Sequence, residues 1–167
     1  MKIDPQTAPD LQKIRDLIEG MHIAMLTSID ADDRLVSRPM SVLKMDSEGV
    51  FWLFADTNST TVNELDRVNL SFSDEEDSTY VSIAGHGEVS EDRSLVHALW
   101  SPLMKPWFPD GEKSPNLALL KIQAQTAEYW DSGHSKMVRL FAMAASVVAS
   151  KPIGMGEHGT IDLLESP

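Results

Sequence analysis

Six short runs of strand-forming residues, with helical segments at the connections and ends, predict a small closed antiparallel barrel of six strands. A parallel sheet would need strands and helices to alternate strictly, and they do not. Two details sharpen the reading. The run Val50-Phe51-Trp52-Leu53-Phe54 is apolar on both faces, so it needs a dry neighbour on each side: the protein's own core and either a subunit partner or a flat aromatic ligand. Pro39 lies inside the run before it and cannot donate to a ladder, which places it at an edge, a bulge or the split of a barrel.

Taken in order, Thr7-Ala8-Pro9-Asp10 reads as a helix start with Thr7 as cap, and Leu11, Ile14, Leu17 and Ile18 form an apolar stripe that ends at Gly20. Residues 21–29 form the first strand, and Asp30-Ala31-Asp32-Asp33 turns the chain into a hairpin of 35–45 and 50–58. Its connection, Asp46-Ser47-Glu48-Gly49, ends in the glycine that a tight turn requires. Apolar parity slips between Val42 and Leu43, the mark of a bulge. Ser59 to Arg67 reads as a short helix opened by hydroxyl side chains, and Val68, Leu70 and Phe72 alternate as the fourth strand. An acidic turn at 74–77 leads to the fifth, Tyr80 to Val89, where Gly85 and Gly87 allow close backbone approach. A helix begins at Glu91-Asp92, with Leu95, Val96, Leu99 and Trp100 on one face. A proline-stiffened loop then presents Trp107-Phe108 as an exposed aromatic pair before the sixth strand, Leu117 to about Trp130. A last helix, Ser135 to Ala149, and a Gly-rich C-terminal tail, 151–167, complete a single domain over 1–150.

Composition bounds the function. A chain of 167 residues buries a core without disulfides, and zero cysteines fit a reducing compartment while removing thiolate metal sites and thiol catalysis. No signal-peptide pattern and no run near the roughly 20 apolar residues of a membrane span occur, so the expectation is a soluble cytoplasmic protein away from membranes. A net charge of −12 argues against nucleic acid as a partner. The five histidines lack ligand spacing, so no metal site is expected. Gly154-Met155-Gly156-Glu157-His158-Gly159 matches the spacing of a dinucleotide loop, but it follows a helix near the chain's end and reads as flexible tail.

Two features point to an anion. Ser59-Thr60-Thr61 at a helix start would offer hydroxyls, free backbone N–H groups and the positive end of the helix, against the plainer reading of N-capping. Arg38, within a strand of an acidic protein, is suited to bidentate binding of phosphate; the plainer reading is a surface ion pair.

Ser37-Arg38-Pro39-Met40, Val50 to Phe54, Thr57-Asn58-Ser59, Trp107-Phe108-Pro109-Asp110-Gly111 and Ala127-Glu128-Tyr129-Trp130, in that order, resemble the general stress protein 26 branch of the pyridoxamine 5′-phosphate oxidase-like FMN-binding split barrels, over about residues 8–150. The resemblance implies a homodimer with two FMN sites at the subunit interface, each built mainly from one barrel and completed by the other. It implies that Arg38, Pro39, Met40 and Ser41 line the flavin and its ribityl phosphate. Leu53, Phe54 and Ala55 would lie along the ring, Ser59, Thr60 and Thr61 would receive the phosphate, and Trp107 would touch the ring. Relatives usually carry Lys where this chain has Thr61. Oxidoreductase chemistry would be the cofactor's, since no residue stands out as acid, base or nucleophile. With no second basic set for another phosphate, pyridoxamine phosphate is disfavoured as substrate. A flavin-free structural or stress-related dimer is the alternative.

Overall fold

The computed structural model describes residues 1–131 and 156–163. Antiparallel pairings join β2 (Ile23–Ile29), β3 (Leu35–Met45), β4 (Val50–Asp56), β5 (Val68–Asp74), β6 (Thr79–Ser90) and β7 (Leu117–Asp131) in the order β3-β2-β5-β6-β7-β4, and β4 pairs back to β3. The six-stranded antiparallel barrel is therefore closed, as the alternation of the runs implies. Among the described residues two short strands lie outside it: β1 (Lys2–Ile3) runs parallel to the end of β3, and β8 (Glu157–Asp162) pairs with β7 at Thr126–Asp131. No helix among the described residues is long and apolar enough to cross a membrane.

Alternation places Ala24, Leu26, Leu53, Phe51, Leu70, Phe72, Val81, Ile83, Leu120 and Ile122 inside, where they form one buried cluster. Helix α1 (Pro9–Ile18) adds Leu11, Ile14, Leu17 and Ile18 to it, and Gly20, at φ +86°, ends that helix as expected. Its start differs: Ala8, not Thr7, is the cap residue, no side chain caps it, and Pro9 opens the first turn. Between Ala84 and Gly85 the β6–β7 register shifts, and a Cβ on Gly85 would stand 2.1 Å from the Gln123 carbonyl oxygen. Only glycine fits that approach.

The second face of β4 is closed by the chain itself. Phe54 packs with Val96 of helix α2 (Arg93–Leu99), with Phe108, and with Leu117 and Leu119 of β7, its ring centroid 5.9 Å from that of Trp100 and 6.3 Å from that of Phe108. Asp92 caps α2 by accepting from the N–H groups of Ser94 (2.9 Å) and Leu95 (3.2 Å). The aromatic pair of the loop is thus divided: Phe108 is buried in this cluster, and Trp107 is 70% exposed. Much of the second dry neighbour that β4 demands is a helix and a loop of the same subunit.

Two further expectations change. Residues 59–67 hold only a four-residue 3₁₀ turn, Thr60–Asn63, because consecutive β-branched residues followed by Asn give an α-helix little support. The tail is in part a strand, β8, whose pairing overrides its glycines. Glu157 accepts from Lys13 (3.0 Å) and from the Tyr129 hydroxyl (3.2 Å), and His158 stacks on Trp130 at 5.0 Å. The expected helix Ser135–Ala149 lies outside the described residues.

Candidate functional site

The barrel opens along β3. Residues Val42–Met45 pair with β4, and the register slips between Val42 and Lys44, one residue around the expected bulge. Leu35–Ser41, Pro39 among them, pair with β2 alone among the described strands, while Phe54–Asp56 of β4 continue on β7. The two strands diverge, and a proline is tolerated where one side of the ladder has no partner. A cleft of about 540 Å³ occupies the split, lined by Arg38–Ser41, Phe54–Asp56, Ser59 and Thr61, with Ile23 at one side and Met104, Trp107 and Phe108 from the loop.

This cleft gathers the residues singled out in the sequence, apart from Leu53 and Thr60. Leu53 is fully buried in the barrel core, since strand alternation turns it away from the cleft that its neighbour Phe54 faces. Thr60 is exposed on the 3₁₀ turn, outside the lining. Met104, Phe108, Asp56 and Ile23 were not foreseen. The first two arrive through the loop's fold, but Asp56 adjoins the recognised Thr57-Asn58-Ser59 stretch and adds a carboxylate to the lining.

The apolar end consists of Pro39, Met40, Phe54, Trp107 and Phe108, a lining suited to a flat aromatic ligand. The polar end departs from expectation. Arg38 stands opposite Leu26 on the inward side of β3, where a guanidinium needs partners, and it has found them within the chain. Its Nη1 donates to Ser28 Oγ (3.0 Å), and both Nη atoms lie 3.3 Å from Glu64 Oε2, which also accepts from Ser28 Oγ (2.9 Å). The pair is partly buried, with side-chain exposures of 23% and 10%, so it is neither the free phosphate fork nor the surface ion pair weighed from the sequence. Ser28 is itself buried.

The hydroxyl stretch is also set differently from a helix start. Asp56 takes up the N–H groups just before the turn: Asn58 N–H donates to its Oδ1 (2.8 Å) and Ser59 N–H to its carbonyl (2.9 Å). Ser59 makes no side-chain cap bond, and a four-residue 3₁₀ turn supplies little dipole. The Ser59 and Thr61 side chains remain at the cleft as hydroxyl donors. As a host for FMN, the described lining offers apolar walls for the ring system and less for the phosphate, its cation Arg38 being already paired and Asp56 being part of the lining.

The family described as pyridoxamine 5′-phosphate oxidase like matches residues 9–153. Protein bli-3 of Neurospora crassa is 28% identical over 157 residues, covering 84% of this chain and 75% of that one. A solved structure of a protein related to general stress protein 26, from Clostridium acetobutylicum, is similar with a TM-score of 0.67 at 20% identity, covering 93% of this chain and 95% of that one. The general stress FMN/FAD binding protein of Xanthomonas citri is similar with a TM-score of 0.62 at 28% identity, covering 72% of this chain and 87% of that one. With its closed barrel, its split beside Pro39 and a family match over most of its length, the chain belongs to the pyridoxamine 5′-phosphate oxidase-like family.

Proposed function

We propose that this chain is a cytoplasmic FMN-binding flavoprotein of the general stress type, with the flavin ring in the cleft at the barrel split. The observation that supports it most is the convergence of Arg38–Ser41, Phe54, Ala55, Ser59, Thr61 and Trp107 on one apolar-walled cleft. Pro39, Met40, Phe54 and Trp107 would hold the ring by dispersion and aromatic contact, and the Ser59 and Thr61 hydroxyls would donate to the phosphate. When bound, the flavin would supply electron acceptance and transfer to a small substrate. Asp56 and the Arg38–Glu64 pair would orient the ligand's polar end and exclude a second strongly anionic group.

The same reading includes a homodimer. The rear of β4 no longer requires it, but Ile23 (53% exposed), Met25, Leu103 and Trp107 leave large apolar side chains in water, and Ile23 and Trp107 border the cleft. A second copy would cover them with an interface above ~2,000 Å². Light scattering should give twice the chain mass at micromolar concentration; a stable monomer would remove the shared site. A flavin-free dimer is favoured by one observation, the Arg38–Glu64 pair, which satisfies the cleft's cation without a ligand. The visible absorption spectrum of purified protein separates the two readings. Flavin bands that stay with the protein through gel filtration, or a shifted flavin spectrum on adding FMN, support the flavoprotein; an unperturbed free-FMN spectrum supports the alternative.

A further inference from the structure

We infer that Glu64 sets the ligand specificity of the cleft by holding Arg38 as an internal substitute for a ligand's phosphate, so that this chain discriminates little between phosphorylated and unphosphorylated flavins. The inference rests on the flavin reading above. Among the described residues Arg38 is the one cation lining the cleft, and its two Nη atoms are directed at Glu64 Oε2 and Ser28 Oγ. Ser28 Oγ donates to the same carboxylate oxygen, so guanidinium, hydroxyl and carboxylate form a closed triangle.

Glu64 is placed by the element that brings the hydroxyls. It follows the 3₁₀ turn Thr60–Asn63, and its N–H donates to the Thr61 carbonyl at 3.2 Å. The same stretch therefore brings the Ser59 and Thr61 hydroxyls to the cleft and the Glu64 carboxylate to the Arg38 that lines it. With Asp56 in the lining and Glu64 behind Arg38, the described residues set two carboxylates against one guanidinium. A phosphate entering with nearly two negative charges must either displace Glu64 from Arg38 or sit beside it unneutralised. Both routes weaken the contribution of the phosphate, and neither touches the ring. Binding energy would then come mainly from the apolar walls, which riboflavin fills as well as FMN does.

Glu64→Gln keeps the shape and the hydrogen-bonding capacity toward Arg38 and Ser28 while removing the competing charge. Titration of the full-length protein, followed by quenching of flavin fluorescence, should show FMN and riboflavin binding within about threefold of each other in the parent, a gap that corresponds to less than one charged hydrogen bond. In Glu64→Gln, FMN should gain about tenfold and riboflavin less than about twofold, with the gain shrinking as salt is raised. Adding Arg38→Ala to Glu64→Gln should cancel the gain. The parent ratio is a separate test that stands if the variant proves unstable. A parent that prefers FMN by more than about a hundredfold, or a variant that moves both flavins equally or neither, would overturn the role of Glu64 while leaving the flavin cleft intact. If neither flavin binds the parent, the flavin reading fails first and this inference with it.

Discussion

The two halves of β3 have opposite fates. Val42–Met45 lie between β4 and, at their end, β1, and both Val42 and Met45 are buried in the core. Leu35–Ser41, on the same strand, have one ladder neighbour and border the cleft through Arg38–Ser41. A single slip in register after Val42 separates them. Pairing on both sides fixes backbone and buries side chains; pairing on one side leaves backbone and side chains available to a ligand. Proline is costly in the first half and tolerated in the second. The barrel closes through Val42–Met45, and the candidate cleft forms where β3 and β4 part beyond that pairing.

The largest test of this contrast is core truncation beside the closed half. Phe51, paired with Met45 and 6.0 Å from the Phe72 ring, is fully buried, and Phe51→Ala should cost about 3 to 5 kcal/mol in urea unfolding. Met40→Ala in the open half should cost well under half of that, since Met40 is only partly buried. Equal losses would mean that the halves are not mechanically distinct.

At the polar end, Thr61→Lys places a cation where the resemblance expects one, and should raise FMN affinity by roughly 5- to 30-fold, or about 1 to 2 kcal/mol, while riboflavin gains almost nothing. Thr61 is buried, so the variant's melting temperature is measured alongside. Equal gains for both flavins would place the phosphate elsewhere. Trp107→Ala tests the apolar walls: its side chain is 70% exposed in the single chain, so the stability of the subunit itself should change by no more than ~0.5 kcal/mol, with dimer association followed separately by light scattering, whereas flavin affinity should fall by about two- to tenfold. Loss of stability with unchanged affinity would make Trp107 a packing residue.

The smallest effect concerns β8, far from the seam. The hydrogen bond and charge of Lys13, then the Tyr129 hydroxyl, hold the Glu157 carboxyl below its usual range. A carboxylate with its folded pKa lowered stabilises the fold above its ordinary pKa, and that contribution disappears as pH falls through the lowered value. The melting temperatures of the parent and Glu157→Gln should therefore differ slightly at neutral pH and converge in acid. A difference that persists unchanged in acid would show that Glu157 acts through packing.

Much of the barrel is legible in the sequence because its signals are local. Alternation marks the six strands, Pro39 marks the seam, and the parity slip beyond Val42 marks the bulge. β1 is too short for periodicity to register, and β8 has no apolar alternation; Tyr129, Lys13 and Trp130, distant in sequence, hold it in place. The site follows the same division. Arg38–Ser41 are visible as a motif on the open strand, but Glu64 is 26 residues from Arg38 and meets it only through the fold. An inward-facing arginine does require a counter-charge, and that requirement was the available clue. Phe108 is buried although the sequence presents it as exposed, because a proline-rich loop gives no sign of which aromatic turns inward.

Amide-resolved NMR of the isotopically labelled protein titrated with FMN tests the central claim, that the unclosed seam is the ligand site, most directly. The account predicts that shifts concentrate at Arg38, Met40, Ser41, Phe54–Asp56, Ser59, Thr61 and Trp107, with Val42–Met45 moving far less than their neighbours across the bulge. Shifts centred instead on the exposed row of Tyr80, Trp130 and His158, aligned across β6, β7 and β8, or spread without a centre, would contradict it.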